Sequence, residues 1–129
     1  MSSIFKDKLY KHKGIEIRKS PNDGWGVFAR RNIKKDSILE EVPIITVPYE
    51  KIIQSEEVMK YTYGFSDGHL MFGFGFAGLY NHSFDPNADW IRDHVNMTMK
   101  HFAIKDISVG EEIFINYGEE NVDFEVNSK

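Results

Sequence analysis

The sequence predicts a mainly β protein that folds as one domain. Short segments rich in β-branched and aromatic residues recur along the chain, and clusters of Gly, Pro, Asn and Asp separate them. The chain has 129 residues, of which 41% are hydrophobic, so one packed core can form without metal or disulfide cross-links. We find no internal repeat, low-complexity tract or linker, which favours a single domain over residues 1–129.

The N-terminal part predicts an arm followed by two short strands around a turn. Residues 1–13 are polar and basic, and we expect them to form a loose arm. The run Ser20-Pro-Asn-Asp-Gly24 consists of residue types that are typical of turns. The apolar residues that indicate a strand on each side of this turn are Ile15, Ile17, Val27 and Phe28.

A long strand and a partly helical segment come next. After a polar turn at 31–36, residues 37–47 are apolar and β-branched and predict a strand, with Pro43 marking a break or a sheet edge. Residues 49–64 mix apolar and charged residues in a pattern that favours helical segments.

The C-terminal half predicts a glycine-rich aromatic run and two further strands. The aromatic run covers residues 70–80, and residues 97–102 predict the first of the two strands. The second strand is expected over 112–117, where Ile113 and Ile115 share one face.

The composition excludes several classes of function. The chain has no cysteine, which excludes disulfides, cysteine nucleophiles, zinc–thiolate sites and iron–sulfur clusters. The net charge is −4, which argues against direct reading of nucleic acid and is compatible with a basic protein partner. We see neither a signal peptide nor a stretch long enough to cross a bilayer, so we expect a soluble intracellular protein.

One glycine motif suggests a function that the sequence around it does not support. The run from Gly73 to Gly78 reads G-x-G-x-x-G, the pattern of a dinucleotide-binding turn. That turn requires a helix whose N-terminus receives the pyrophosphate. Here a polar turn at 81–87, which contains Pro86, follows almost at once, so no ten-residue helix can begin there. We instead expect these glycines to let aromatic strands pack closely.

Three other segments carry glycine and polar residues in short patterns. They are Asp23-Gly-Trp-Gly-Val-Phe-Ala29, Tyr80-Asn-His-Ser-Phe-Asp-Pro-Asn-Ala88 and Gly110-Glu-Glu-Ile-Phe-Ile-Asn-Tyr-Gly118. Taken alone, they would be a hairpin turn, a polar loop with a capping histidine and a hairpin that ends in an exposed tyrosine.

In that order, the three segments resemble the signatures of the SET domain family. The first resembles its G-x-G, the second its N-H-S-x-x-P-N-A motif and the third its G-E-E-[IL]-x-x-x-Y-G motif, over about residues 15–118. The likeness is greatest to the short single-domain SET proteins of viruses and bacteria. It implies a β-clip with a C-terminal pseudoknot, in which Tyr117 threads beside Asn81 and His82, and a short partly helical insertion at about residues 49–68.

The same resemblance implies an activity and a set of site residues. The activity is transfer of a methyl group from S-adenosylmethionine to the ε-amine of a lysine in a histone or another protein, with S-adenosylhomocysteine as product. Tyr117 would be catalytic, and Tyr61 would form a second wall of the lysine channel, with Tyr63 as the alternative. The residues implied to bind the cofactor are Gly24, Trp25, Gly26, Asn81, His82, Tyr117 and Phe124, and no metal is implied.

The chain also departs from the family pattern. Many members carry an aromatic residue shortly after the catalytic Tyr-Gly, where this chain has Glu119 and Glu120, and Phe84 stands where a cysteine is common. Because of these departures, the alternative remains that the chain is a catalytically inactive SET-fold module that binds proteins. The lack of flanking domains is also compatible with a homodimer. A metal hydrolase is disfavoured because no pair has helical H-x-x-x-H spacing among His82, Asp85, Asp89, His94 and His101.

Overall fold

The computed structural model describes residues 8–21 and 24–116, and in these ranges the chain is mainly β. The strands are β1 Ile15–Lys19, β2 Trp25–Ala29, β3 Ile38–Pro48, β4 Tyr63–Gly64, β5 His69–Gly73, β6 Asn81–His82, β7 Ala88–Asp93, β8 Thr98–Ala103 and β9 Glu112–Ile115. Four of them form one sheet in the order β1-β2-β9-β6, and the other five form a second sheet in the order β4-β5-β3-β8-β7. The helices are α1 Tyr49–Ile52, α2 Glu56–Met59 and the 3₁₀ helix Ala77–Leu79. The fold class predicted from the sequence is confirmed.

The first two strands pair as the sequence predicts. β1 and β2 are antiparallel, and the N–H of Ser20 donates to the carbonyl of Gly24 at 2.8 Å to close the turn. The N-terminal arm is less loose than expected in its described part. Lys11 forms a bridge with Glu40, and the N–H of His12 donates to the carbonyl of Leu39 at 2.7 Å, so residues 11–12 are fixed to β3.

β3 changes its partner at Pro43. Residues from Ile38 to Pro43 pair with β8, whereas Ile44 to Pro48 pair with β5. Proline has no N–H to donate, and it occurs at the position where the strand passes from one neighbour to the other. The strand itself runs through Pro43 without interruption in the interior of its sheet, so the break or sheet edge expected at this proline is not found, and the proline marks a change of partner instead.

The insertion and the glycine-rich run also follow the sequence pattern. Helical segments form in the insertion as predicted, and α1 and α2 have four residues each. The run then forms β5, a turn and the three-residue 3₁₀ helix, which leads into β6. An added Cβ at Gly73 would lie 2.5 Å from Met99 Sδ and 2.6 Å from Ala77 Cβ, so this glycine permits close packing. The helix that a dinucleotide would need is absent from residues 73–82.

Three strands were not expected from the sequence, and one of them, β4, lies in the segment 49–64 where helical segments were predicted. β7 alternates Ala88, Trp90 and Arg92 on its buried face, and the buried arginine hides the apolar pattern. β6 has two residues, too few to show any period, and it pairs in parallel with β9. This pairing places β9 between β2 and β6.

Residues from both sheets share one core. Its fully buried side chains include Val27 and Ile113 from the first sheet and Leu39, Met71 and Met99 from the second. The predicted alternation in β9 is confirmed, because Ile113 and Ile115 are buried while their neighbours are partly exposed. In the described part of the chain, no helix has the length and apolar character that a membrane span needs.

Candidate functional site

The first motif lies at the start of β2, against the side chain of Glu112. An added Cβ at Gly26 would lie 2.9 Å from Asn81 Nδ2 and would also overlap Glu112 Oε2. Only glycine therefore lets β2 approach these two side chains so closely. Trp25 precedes it with 55% of its surface exposed, so its indole is accessible beside the motif.

Glu112 joins the first motif to the second through its carboxylate. Oε2 accepts a hydrogen bond from Asn81 Nδ2 at 2.7 Å, and Oε1 accepts one from Ser20 Oγ at 2.8 Å. The amide of Asn81 also donates to the carbonyl of Trp25 at 3.2 Å. Hydrogen bonds to a charged acceptor are the stronger kind, so this contact fixes the Asn81 side chain.

The second motif forms β6 and the loop after it. Asn81 pairs with Phe114 and His82 pairs with Ile115, so both residues lie along β9. The His82 ring meets the edge of the Phe84 ring with centroids 4.4 Å apart. Phe84 is 84% exposed, which makes it an apolar side chain that faces solvent next to the site.

Asn87 connects the end of this loop to the third motif. Its Nδ2 donates to the carbonyl of Glu112 at 2.9 Å, and its Oδ1 accepts from the N–H of Phe114 at 2.8 Å. The N–H of Ser83 donates to the carbonyl of Ile115 at 2.9 Å. These bonds fix the loop along β9 from Ser83 to Asn87, the last residue of the loop. Two of the predicted site residues, Tyr117 and Phe124, fall outside the described residues, and so does Gly118 at the end of the third motif.

The two candidate channel tyrosines differ in their surroundings. Tyr61 is 47% exposed and covers Gly78, where an added Cβ would lie 3.5 Å from Tyr61 Cβ. The hydroxyl of Tyr63 instead donates to the carbonyl of Ala77 at 2.5 Å and lies 3.0 Å from His101 Nε2. Tyr61 therefore presents its ring to solvent near the second motif, whereas the Tyr63 hydroxyl points into the core.

A buried polar network supports the second motif from behind. His101 stacks on Tyr80 with ring centroids 4.2 Å apart, and the Tyr80 hydroxyl donates to Glu40 Oε1 at 3.1 Å. Glu40 Oε2 accepts from the N–H of Phe76 at 3.2 Å. Because Tyr80 directly precedes Asn81, this network holds the start of β6.

Burial shifts the pKa of each titratable group in this network. It raises the pKa of Glu40, although the bonds from Phe76 and Tyr80 oppose that change. It also raises the pKa of Tyr80, which keeps the hydroxyl protonated as a donor. Burial lowers the pKa of His101 to about 3, so this ring is neutral at pH 7.

The structure thus brings together five of the residues that the sequence predicts at the site: Gly24, Trp25, Gly26, Asn81 and His82. Sequence reasoning assigned no role to Glu112 or Asn87. Both lie inside motifs that were recognised, but the partners of their side chains become visible only in the fold. Among the described residues, no group of three or more His, Cys, Asp or Glu side chains is placed to hold a metal ion.

Comparisons with known proteins agree with this arrangement. A family model described as the SET domain matches residues 24–118. A Schizosaccharomyces pombe protein named "Histone-lysine N-methyltransferase, H3 lysine-37 specific" is 31% identical over 108 residues, which are 81% of this chain and 74% of that protein.

Solved structures give the same result for the fold. A crystal structure of a Plasmodium falciparum protein, provisionally named a histone methyltransferase, has a TM-score of 0.69 and 33% identity, covering 84% of this chain and 96% of that one. An inhibitor-bound Polycomb Repressive Complex 2 from Chaetomium thermophilum, a humanized mutant, has a TM-score of 0.68 and 24% identity over 84% of this chain and 15% of that one. The three motifs, the fold and these matches together show that the chain belongs to the SET domain family.

Proposed function

We propose that this chain is a protein lysine N-methyltransferase that uses S-adenosylmethionine. The observation that carries the proposal is the meeting of the three motifs, since Asn81 contacts both Trp25 and Glu112 although the three lie far apart in sequence. Membership of the SET domain family and the named relative from Schizosaccharomyces pombe support the same activity.

The residues around Asn81 fit the chemical groups of this cofactor. The exposed indole of Trp25 offers a flat apolar face for the adenine, and Gly26 lets β2 lie close to the side chain of Asn81. The polar groups of Asn81 and His82 would bind the adenine and amino-acid parts. When bound, S-adenosylmethionine supplies an electrophilic methyl group on a positively charged sulfur.

Methyl transfer also requires a neutral lysine amine. An exposed lysine has a pKa near 10.4, so neutralising it at pH 7 costs about 4–5 kcal/mol. An apolar channel next to a positive charge lowers that cost, because both disfavour the ammonium form. We assign the inner end of this channel to Tyr117, whose hydroxyl would orient the amine, and one wall to Tyr61. The exposed ring of Tyr61 supports this choice over Tyr63, whose hydroxyl is engaged in the core.

The substrate that we propose is a lysine in a basic protein segment such as a histone tail. The named specificity of the Schizosaccharomyces pombe relative and the net charge of −4 support this choice. A histone substrate would place the protein in the nucleus or cytoplasm of a host cell. A homodimer that completes the substrate groove is part of the same proposal.

Cofactor binding and methyl transfer test the proposed function directly. Calorimetry with S-adenosylmethionine measures binding, and incubation with labelled cofactor and a panel of histones and peptides measures transfer. We expect binding and a labelled lysine. A folded protein with no measurable cofactor affinity would contradict the enzyme, and binding without transfer to any substrate would favour an inactive SET-fold binding module.

Tyr117→Phe tests the catalytic assignment. Loss of one preorganised hydroxyl at the reacting centre is expected to lower kcat about a hundredfold or more. Tyr49→Phe is the matched control, because Tyr49 lies at the start of α1 and is exposed. Transfer at the wild-type rate by the Tyr117 variant would refute the role of this hydroxyl.

A further inference from the structure

We propose that Glu112 is a positioning residue of the cofactor site and acts by aiming the Asn81 amide. This inference rests on the proposed function, because it gives a reason for the orientation of a cofactor-binding side chain. Glu112 would not itself touch the cofactor. Its neighbour Glu111 belongs to the same motif but is exposed, and its carboxylate accepts from the N–H of Ser108 instead.

The geometry gives each oxygen of Glu112 a separate donor. Oε1 accepts from Ser20 Oγ at the end of β1, and Oε2 accepts from Asn81 Nδ2 at the start of β6. The backbone of Glu112 is fixed as well, since it pairs with Phe28 and its carbonyl accepts from Asn87 Nδ2. A carboxylate of this length on this backbone position can reach both donors at once.

This contact decides which way the Asn81 side chain faces. With Nδ2 directed at Glu112 and at the carbonyl of Trp25, the carbonyl oxygen of Asn81 is the acceptor of this side chain that has no hydrogen bond to any described residue. An acceptor in this place suits the positively charged amino group of an amino-acid moiety. Glu112 therefore determines the hydrogen-bonding character that Asn81 presents to a ligand.

Two conservative variants separate the reach of the side chain from its charge. Glu112→Asp keeps the charge but is one methylene shorter, so it cannot contact Ser20 and Asn81 together. Glu112→Gln keeps the reach, because its oxygen accepts from Asn81 while the Ser20 hydroxyl can rotate to accept from its NH₂ group. We expect the Asp variant to raise the Kd for S-adenosylmethionine about tenfold and the Gln variant to stay within about threefold.

Glu111→Asp is the matched control and is expected to bind the cofactor like the wild type. The Kd for the substrate peptide and the Tm are measured on the same proteins, since a purely structural loss would weaken peptide binding as well. Wild-type cofactor affinity in the Asp variant, an equal loss in the Gln variant, or a parallel loss of peptide binding would each overturn the proposal.

An NMR measurement on the wild type keeps the test independent of variant folding and of catalysis. The side-chain NH₂ of Asn81 is expected to exchange with solvent more slowly than a free amide, even without cofactor. Exchange at the free-amide rate would overturn the inference. If the wild type instead fails to bind S-adenosylmethionine, the proposed function fails, while slow exchange that becomes fast in Glu112→Asp would still show that Glu112 holds Asn81.

Discussion

His101 is a histidine that the fold keeps neutral. Its side chain is 0% exposed, stacks on Tyr80 and contacts the hydroxyl of Tyr63 through Nε2. Because the Tyr63 hydroxyl donates its one hydrogen to the carbonyl of Ala77, the Nε2 atom of His101 must be the donor in their contact. The proton of the neutral ring therefore lies on Nε2, and Nδ1 has no partner among the described residues.

This environment predicts a loss of stability in mild acid. The pKa of His101 falls from 6.5 to about 3 on folding, so below pH 6.5 the unfolded chain binds a proton that the folded chain does not. The free energy of unfolding then decreases as pH falls from 6.5 towards 3, by about 2 kcal/mol at pH 5 from this residue. The raised pKa of Glu40 acts in the opposite direction above pH 4.5, since the folded form then holds the proton more tightly.

His101→Phe isolates the contribution of the histidine. Phenylalanine keeps the stacking on Tyr80 and cannot take up a proton, so we expect a smaller loss of stability than in the wild type between pH 7 and pH 5. Urea unfolding at both pH values measures the difference. An identical pH dependence in the two proteins would show that the ring does not stay neutral in the folded state.

The site shows what sequence can and cannot predict for a single residue. Asn81 and His82 could be identified because they stand in a recognisable motif, and the fold brings them to β9. Glu112 stands in a motif equally clear, yet its role depends on Ser20 and Asn81, which are distant in sequence. A pattern along the chain carries no information on which distant donors a carboxylate will meet.

Gly73 controls how closely β5 packs on the elements around it. An added methyl group would meet Met99 Sδ and Ala77 Cβ, and Ala77 cannot move without the 3₁₀ helix that leads to Asn81. Gly73→Ala is therefore expected to lower the free energy of unfolding by about 1–3 kcal/mol through overpacking. Urea unfolding measures this change.

Gly64 in β4 provides the matched control for that substitution. An added Cβ there has no atom within 4 Å, so Gly64→Ala is expected to be neutral or to stabilise by roughly 0.4–1 kcal/mol. If both variants change stability alike, the close approach at Gly73 is not the reason for glycine at that position.

At the scale of elements, the strands found from sequence are those rich in apolar and β-branched residues. β3 and β9 have this composition, and the turn residues at 20–24 indicated the first hairpin. β7 was missed because Arg92 occupies one of its buried positions, where it donates to the carbonyl of Gly64 at 2.6 Å. The parallel pairing of β6 with β9 joins segments about thirty residues apart, which no local pattern encodes.

The two sheets are expected to unfold as one unit. They share a single hydrophobic core, and the two bonds of Asn87, which directly precedes β7, to β9 link them further. Two fully buried alanines report on this coupling: the N–H of Ala29 donates to Glu111, and that of Ala103 donates to Ser37, both at 2.9 Å.

Native-state hydrogen exchange at these two amides measures the cooperativity. We expect equal opening free energies at Ala29 and Ala103, and an equal decrease of about 1–3 kcal/mol at both in Asn87→Ala, which leaves buried polar groups unpaired. Asn32→Ala is the control, because the side chain of Asn32 accepts a hydrogen bond from the exposed N–H of Val109 at the surface. A decrease confined to Ala29 would mean that the two sheets open separately.

The change of partner at Pro43 separates two parts of the molecule whose sequence and length can change at different rates during evolution. The half of β3 after this proline carries β5 and the helical insertion, whereas the half before it pairs with β8. Insertions or deletions between residues 49 and 68 would change the length of a segment that is attached to one half of this strand. In the proposed enzyme, Tyr61 belongs to that segment and Asn81 does not, so selection could exchange the surface that meets the substrate while the cofactor pocket stayed unchanged.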